Sequence, residues 1–295
     1  MKKALIFGAN GQDGYYLSKL LKLNKIDVIS ISRTSVLILG DVANFEFVEN
    51  IIKDRQPSYV FHFAANSTTK HSALLENHAS ISSGTLNILE SVKKHSPDAK
   101  VFISGSAMQF KNDGLPINEN TPFHASSAYS AERIYSVYLS RYYREKFNIK
   151  TYVGYLFNHD SPLRSENHIN QKIIKSAINI ANGSKEKLFV GDFDVKKEFN
   201  YAGDIVNAIW KLVSQNDISE IVIGSGEAFS IQTWIEYCFK MAGLKWEEHV
   251  VKDENFIADY NVLVSDPTLL RSIGYIPSKD IFQLADIMLK SAYIK

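Results

Sequence analysis

The stretch ALIFGANGQDGYYL, residues 4–17, passes from four apolar residues into a turn that contains three evenly spaced glycines. These glycines are Gly8, Gly11 and Gly14. The apolar run is typical of a buried strand, and DGYYLSKLLKL (13–23) has the apolar spacing of a helix. Glycines between a strand and a helix allow a tight turn and let backbone N–H groups and the positive helix end approach a pyrophosphate. The stretch therefore predicts a dinucleotide-binding turn that includes Gln12 and Asp13, with a generic turn as the alternative.

Short apolar runs alternate with segments of helical period through the first half of the chain. The strand candidates are ALIF (4–7), VISIS (28–32), YVFHFA (59–64), VFIS (101–104) and TYVGYLF (151–157). Strands that alternate with helices imply right-handed βαβ units, and unbroken apolar strands fit a sheet that is covered on both faces. The sequence therefore predicts an α/β fold with a doubly wound parallel sheet, the Rossmann arrangement, in a dinucleotide-binding domain over residues 1–160.

The pattern loosens after residue 160, where a polar, loop-like stretch precedes further helices. The helix candidates lie near 170–182, 203–214, 230–242 and 280–291. Residues 161–295 are predicted to form a smaller mixed α/β lobe that binds the substrate. Some elements within 199–224 are expected to return to the first domain.

The composition is that of a globular protein with no strongly charged partner. Of its 295 residues 45% are hydrophobic, and 33 basic residues nearly balance 32 acidic ones, which argues against binding to nucleic acid or a membrane surface. The single cysteine, Cys238, excludes an internal disulfide framework, and neither a membrane-spanning apolar run nor a signal peptide is evident. The histidines lack metal-ligand spacing, and His62 and His159 are expected to be structural. We expect a cytoplasmic protein without a metal site.

The end of the second strand carries the residues that choose between the two nicotinamide cofactors. NAD sites usually place a carboxylate here for the ribose hydroxyls, whereas this strand ends in Ser32 and Arg33. A guanidinium and hydroxyls can bind a 2′-phosphate, which a carboxylate would repel. The sequence therefore favours NADP, with NAD as the alternative because arginine also stacks on adenine. Asp41 and Val42 are expected to lie at the adenine.

Four segments spread along the chain match one known group of enzymes. They are GANGQDGYYL (8–17), FHFAANS (61–67), YLFNHDSPLRSENHINQKI (155–173) and VGDFDVKKEFNYAGDIVNAIW (190–210). Together they resemble the extended short-chain dehydrogenase/reductases that act on nucleotide sugars, and among these the GDP-mannose 4,6-dehydratase family most closely. The Asn-His-x-Ser-Pro-x-Arg-x-Glu-Asn run within them is specific to that family.

The resemblance implies which residues contact the cofactor and a nucleotide-sugar substrate. Ala64 and Ala65 would join the glycine-rich turn at the cofactor. Asn158 would contact the diphosphate of the sugar nucleotide, and Lys197 would offer it a cation. Further substrate-binding candidates in the same segment are Asn167 and Lys172.

Three positions depart from the pattern of the family. Its catalytic Ser/Thr-x-Glu lies over SGSAMQF, where Ser106 keeps the hydroxyl and Met108 takes the place of the glutamate. Its Tyr-x3-Lys pair becomes Tyr129 and Arg133. An arginine that usually clamps the diphosphate falls near Phe256. The resemblance therefore predicts a site of the same frame with altered chemistry.

Tyr129 and Arg133 are four residues apart and would share one face of a helix. Hydride transfer at a sugar carbon needs a proton moved to or from its oxygen, and a phenol does this better when a cation stabilises the phenolate. Arg133 would supply that charge and bind ribose hydroxyls, but unlike lysine it could not relay protons. Ser106 would hydrogen-bond the reacting oxygen. The alternative is that Tyr129 only packs in the core, as many of the 15 tyrosines must.

Dehydration across C5 and C6 needs a general base, which Met108 cannot provide. Unless Glu132, Asp113 or Glu119 reaches the site, hydride transfer at C4 remains. We expect NADP-dependent oxidoreduction at C4 of a nucleotide-activated, GDP-linked hexose or 4-keto-6-deoxyhexose, in deoxysugar synthesis for a surface glycan. The alternatives are a GDP-mannose 4,6-dehydratase-type dehydratase or a 4-epimerase with a relocated acid/base, and a non-catalytic dinucleotide-binding protein.

The helix that carries AYSAERIYSVYLSRYY (128–143) has apolar and aromatic residues on more than one face. Such a helix needs a partner beyond the sheet, so the sequence predicts a homodimer built on a four-helix bundle. The loop after the second strand, which builds a tetramer in some members of the resembling family, is nearly absent between Arg33 and Asp41. Its loss favours a smaller oligomer.

Overall fold

The computed structural model describes residues 2–34, 38–66 and 68–293. The strands are β1 (Lys3–Phe7), β2 (Asp27–Ser32), β3 (Ile38–Leu39), β4 (Tyr59–His62), β5 (Lys100–Ser106), β6 (Lys150–Leu156), β7 (His159–Asp160), β8 (Leu188–Val190), β9 (Lys196–Glu198), β10 (Asn200–Tyr201), β11 (Glu220–Ile223), β12 (Ala228–Ser230), β13 (Val250–Lys252) and β14 (Val262–Leu263). The helices are α1 (Gln12–Leu23), α2 (Phe45–Arg55), α3 (Leu74–Asn77), α4 (Gly84–His95), α5 (Ala128–Phe147), α6 (Ile169–Ala181), α7 (Ala202–Ser214), α8 (Ile231–Met241), α9 (Thr268–Ser272) and α10 (Ile281–Tyr293). Within these ranges no helix is long and apolar enough to cross a membrane.

Seven parallel strands form the central sheet in the order β11-β6-β5-β4-β1-β2-β3. The register pairs Phe7, the last residue of β1, with Ile31 on one side and His62 on the other. The order reverses between β1 and β4, and ligands of such sheets bind outside the carboxyl ends of the strands at this point. The doubly wound Rossmann arrangement expected from the sequence is confirmed.

Apolar side chains of β1 alternate between two buried layers. Leu5 and Phe7 pack on the face that α2, α4 and α5 cover. Ala4 and Ile6 pack on the opposite face, beneath α1 and α7. Because both faces of the sheet are covered, its strands are apolar at consecutive positions. α7 and the edge strand β11 belong to this domain and lie within the region 199–224 from which the sequence analysis expected elements to return.

A third buried cluster forms the core of the smaller lobe. Helices α6, α8 and α10 surround Trp234 and Phe239, which are fully buried. Beside them β9 pairs antiparallel with β12 and parallel with β14, and β8 pairs parallel with β13. The lobe is therefore mixed α/β, as the sequence predicted.

Glu198, at the end of β9, joins three segments of this lobe. Its side chain is fully buried, and its two oxygens accept hydrogen bonds from the backbone N–H groups of Ser225, Gly226 and Ser265 at 2.7, 3.2 and 2.7 Å. The side-chain amide of Asn200 donates another at 2.8 Å. These bonds hold the strand that also carries Lys197.

We expect Glu198→Ala to lower the free energy of unfolding by about 2 kcal/mol, since the N–H groups of Ser225 and Ser265 lose their acceptor at roughly 1 kcal/mol or more each, while that of Gly226 keeps the hydroxyl of Ser265. Chemical denaturation monitored by circular dichroism measures this change. Glu227→Ala removes an exposed glutamate near the same turn and serves as the matched control. Equal stability of the two variants would contradict the role given to Glu198.

Candidate active site

The glycine-rich turn brings the ends of β1 and β4 into close contact. Gly8 has a φ of 86°, and a Cβ on it would lie 2.6 Å from the backbone nitrogen of Ala64. A Cβ on Gly14 would lie 2.5 Å from the Cα of Ala9. Side chains are therefore excluded from both positions. The turn leaves the first N–H groups of α1 open toward the switch point of the sheet, where they can bind an anion.

A cavity of about 180 Å³ follows this turn along the carboxyl ends of β1, β2 and β4. Most of the residues predicted to bind the cofactor line it. They are Gly8, Gly11, Ser32, Arg33, Asp41, Val42, Ala64 and Ala65. Ser35 and Ser67 lie outside the described residues. They end the stretches ISRTS (31–35) and FHFAANS (61–67). The sequence therefore predicted most of the wall of this cavity.

Arg33 forms an ion pair with Glu76, a residue of α3 that the sequence analysis did not single out. Their side chains are 57% and 43% exposed, and the Nη2 to Oε1 distance is 3.0 Å. The side-chain amide of Asn66 also donates to Glu76 at 2.8 Å. Because an exposed ion pair is weak, the guanidinium of Arg33 can readily leave Glu76 for another anion.

A second cavity, of about 230 Å³, lies where β5 and β6 end, and it brings Ser106, Tyr129 and Arg133 together. Ser106 closes β5, and its hydroxyl accepts a hydrogen bond of 3.2 Å from the backbone N–H of Met108. Met108 also lines the cavity. Tyr129 stands in the first turn of α5, which Ser127 caps. The end of a strand and the start of a helix thus meet at one site.

Arg133 is buried beneath Tyr129. Its Nη1 donates hydrogen bonds to the carbonyl and hydroxyl oxygens of Ser104 at 2.5 and 2.8 Å, and its guanidinium carbon lies 5.1 Å from the centre of the Tyr129 ring. Ser104 in turn donates to the carbonyl oxygen of His62 at 2.9 Å. Burial, together with the charge of Arg133, lowers the pKa of His62 to about 3, so this ring is neutral.

The three carboxylates considered as substitutes for the missing glutamate are held elsewhere. Glu132 accepts hydrogen bonds from Ser82 and faces His78 at 3.1 Å. Asp113 pairs with Lys111, and Glu119 accepts from the backbone N–H of Val222. Among the described residues, Asp13 is the carboxylate that lines the second cavity, which is called the catalytic cavity below because the predicted catalytic residues Ser106, Tyr129 and Arg133 line it.

Asp13 and His159 form a partly buried ion pair at this cavity, with 2.9 Å between Oδ1 and Nε2. The sequence motifs predict Asp13 at the cofactor and His159 as a structural residue. Both residues lie in segments that the motifs had marked, but the contact between them spans 146 positions. Next to them Arg164 lies 2.9 Å from Nδ1 of His168. Burial and the charge of Arg164 lower the pKa of His168 to about 4.

The residues predicted to bind the substrate divide into two groups. Asn158 lines the catalytic cavity, and Lys197 lines a neighbouring groove of about 220 Å³. Burial lowers the pKa of Lys197 to about 8, although the charge of Asp160 opposes this shift. Asn167 is exposed, and Lys172 donates to the carbonyl oxygen of Phe189 on another surface. The structure therefore does not bring the last two to either cavity.

The groove beside Lys197 has an apolar wall. The ring of Phe256 packs on Gly191, where a Cβ would lie 2.3 Å from the ring. Phe256 is near the position at which the family has an arginine. Asp259 and Asp192 supply carboxylates at the same groove.

The profile of the GDP-mannose 4,6 dehydratase family matches residues 5–285. The chain belongs to this family. It is 31% identical over 267 residues to GDP-mannose 4,6 dehydratase of Drosophila melanogaster, an alignment that covers 81% of this chain and 68% of the relative. It is 28% identical over 284 residues to GDP-mannose 4,6 dehydratase 1 of Arabidopsis thaliana, with 86% and 79% covered. The resemblance drawn from the sequence motifs is confirmed.

Solved structures of low sequence identity share the fold. UDP-glucose 4-epimerase from Thermus thermophilus, in complex with NAD, is 17% identical with a TM-score of 0.85, and 99% of each chain is covered. RMD from Pseudomonas aeruginosa, complexed with NADPH, is 19% identical with a TM-score of 0.88 and the same coverage. The family and the fold together identify an NAD(P)-dependent enzyme of the extended short-chain dehydrogenase/reductase type.

Proposed function

We propose that the protein catalyses NADP-dependent oxidoreduction at C4 of a GDP-linked hexose or 4-keto-6-deoxyhexose, in the cytoplasmic synthesis of a deoxysugar for a surface glycan. The proposal rests on one observation: Tyr129 and Ser106 line a cavity that Met108 also lines, in place of a carboxylate. Hydride transfer at C4 needs a proton only at the sugar oxygen. Dehydration needs a further general base, for which a thioether is unsuited.

The cofactor fits the turn between β1 and α1, because Gly8 and Gly14 keep side chains away from the place of a pyrophosphate. When bound, it supplies or accepts the hydride. Tyr129 would hold the proton at the C4 oxygen, and Ser106 would hydrogen-bond the same atom. Arg133, held by Ser104, would stabilise the phenolate through its fixed positive charge.

Arg33 and its surroundings favour NADP over NAD. The hydroxyl of Ser32 and the guanidinium of Arg33 line the same cavity. The exposed ion pair with Glu76 contributes only about 0–1 kcal/mol, so a 2′-phosphate with two charges can replace the carboxylate as the partner of Arg33. NAD would leave that pair as it is.

We expect NADPH to bind more tightly than NADH, and Arg33→Asp to remove this preference. Glu76→Gln should strengthen NADPH binding by up to about five-fold, the value of an exposed ion pair, and leave NADH binding unchanged. Calorimetric titration of both cofactors measures these affinities. Tighter binding of NADH by the wild type, or an unchanged preference in Arg33→Asp, would refute the assignment of NADP.

The groove next to the catalytic cavity offers contacts that suit a guanine base. The ring of Phe256 offers a surface on which a base can stack. The N–H groups of guanine can donate hydrogen bonds to a carboxylate such as that of Asp259. Lys197 lies in the same groove, where it can meet the negative charge of a diphosphate. The relatives named GDP-mannose 4,6 dehydratase favour the same nucleotide.

A dehydratase is the second candidate, because the chain belongs to a family that is named for that reaction. Its base would have to be Asp13, the carboxylate at the catalytic cavity among the described residues. Asp13 is engaged by His159, however; burial opposes its ionisation, yet the charge and hydrogen bond of that ring lower its pKa. A 4-epimerase would use the same Tyr129 chemistry, and a non-catalytic dinucleotide-binding protein would bind without turnover.

Tyr129→Phe is expected to slow reduction of a GDP-linked 4-keto-6-deoxyhexose by about 100-fold or more, the usual contribution of a general acid. NADPH binding should persist, because the ring remains. NADPH oxidation followed by absorbance measures the rate. Tyr138→Phe, on the exposed side of the same helix, is the matched control and should keep full activity. Full activity of Tyr129→Phe would show that the reaction occurs at another site.

The wild type should not convert GDP-mannose to its 4-keto-6-deoxy product, and Met108→Glu restores a carboxylate at the cavity. Analysis of the sugar nucleotides by mass spectrometry distinguishes the reactions. Conversion of GDP-mannose by the wild type would establish the dehydratase instead.

A homodimer is proposed from the outer face of α5. Tyr135, Tyr138 and Tyr142 are 48%, 56% and 49% exposed there, at a spacing that places them on one side of the helix. Aromatic rings exposed along one helix face are typical of an interface. A second copy could pair its own α4 and α5 with this face as a four-helix bundle.

We expect light scattering at micromolar concentration to give twice the mass of the chain. Tyr138→Lys combined with Tyr142→Lys should produce a monomer, because two ammonium groups would be buried at the interface. Lys22→Glu, on a helix away from α5, should leave the mass unchanged. A monomeric wild type would refute the dimer.

A further inference from the structure

The Asp13–His159 ion pair directly joins the glycine-rich turn to the segment that follows β6. Nε2 of His159 lies 2.9 Å from Asp13, and Nδ1 lies 2.7 Å from the carbonyl oxygen of Phe157. Each ring nitrogen thus faces an acceptor, an arrangement that suits the imidazolium form with its two donors. The side chains of His159 and Asp13 are only 10% and 19% exposed.

Gln12, the neighbour of Asp13, makes two further bonds to the same segment. Its amide nitrogen donates to the carbonyl oxygen of His159 at 3.1 Å, and its amide oxygen accepts from the hydroxyl of Ser161 at 2.9 Å. Two consecutive residues of the turn therefore hold residues 159–161. The segment cannot shift without moving the start of α1 or breaking these bonds.

The charges around the pair favour its ionised form. Burial opposes the charge on His159, but the charge and hydrogen bond of Asp13 outweigh it, so the pKa of His159 lies above its ordinary value. Burial likewise opposes ionisation of Asp13, and His159, with Arg164 and Arg133, lowers the pKa of that carboxyl nevertheless. Both shifts favour the ion pair over the neutral forms of the two side chains.

The two ends of this connection face different ligands. Gln12 begins α1, whose N-terminus lies at the proposed pyrophosphate site. His159 follows Asn158, which lines the catalytic cavity, and Arg164 lines the same cavity five residues further on. The pair and the bonds of Gln12 therefore lie between the proposed pyrophosphate site and the side chains that line the catalytic cavity.

We propose that the Asp13–His159 pair couples the two sites, so that dinucleotide binding raises the affinity for a nucleoside diphosphate and the reverse holds equally. This inference rests on the proposed function, because it assumes that the cavity at Asn158 takes a nucleotide sugar. Asp13 and His159 act here as positioning residues. Binding at one site orders the segment that the other ligand would otherwise have to order itself.

Calorimetric titration of GDP with and without saturating NADPH tests the coupling, with UDP in parallel for the choice of base. For the wild type we expect the dissociation constant of GDP to fall by about five-fold or more when NADPH is present, the lower range of coupling between sites. In Asp13→Asn and in His159→Gln this factor should fall well below the wild-type value, with the two bonds of Gln12 carrying what remains. The double variant should behave like either single variant, because one change already removes the pair.

His168→Gln is the matched control, since this histidine lines the same cavity and contacts Arg164 but does not touch the turn. It should keep the wild-type coupling factor. A merely structural role of the pair would lower the melting temperature and weaken both ligands without changing the factor, and that result would overturn the inference. So would a wild type that binds NADPH and GDP independently, although the proposed function would stand.

A wild type that binds neither compound would overturn the proposed function and this inference together. Melting curves establish which variants fold. If Asp13→Asn does not fold, His159→Gln tests the same pair from the other side, and a retained coupling factor in the folded variant overturns the inference. Asp13→Glu keeps the charge and should recover part of the factor.

Discussion

The site depends on the close backbone contact between β1 and β4 at Gly8. A φ of 86° turns the chain sharply, and a Cβ at this position would lie only 2.6 Å from the backbone nitrogen of Ala64. This contact sets the start of α1 and so the direction of its first N–H groups. It also places Gln12 and Asp13 against the segment after β6, so the turn proposed to bind a dinucleotide also supports the cavity that Ser106 and Tyr129 line.

The replacement of a lysine by Arg133 is accommodated by its neighbours on β5. A guanidinium is larger than an ammonium and has fixed donor directions, and both oxygens of Ser104 accept from it. The positive charge is thus kept beneath Tyr129 although proton relay is lost. Together with Met108, this arrangement supports the hydride transfer proposed above, within a family named for dehydration.

The fold could be predicted almost completely, because buried parallel strands leave a strong signal of consecutive apolar residues. Short elements such as β3 and α3 were missed, since two to four residues carry no period. The residues that line the cavity beside the glycine-rich turn could be named from the sequence because they follow strand ends, and their binding of a cofactor stays a prediction. Asn167 and Lys172 were assigned by their place in a motif, yet Asn167 lies exposed in the turn before α6 and Lys172 contacts the carbonyl oxygen of Phe189, so neither lines either cavity.

The sequence by itself determined the parallel sheet and the glycine-rich turn. It also named Ser106, Tyr129 and Arg133 as the candidate catalytic residues. Only the tertiary structure decided that Asp13 meets His159 and that Glu76 meets Arg33. Such contacts join positions far apart in the chain, and local periodicity contains no information about them. These contacts form because neighbouring strands of the sheet end at the same edge and bring distant segments together. The order of the strands is established only in the folded chain.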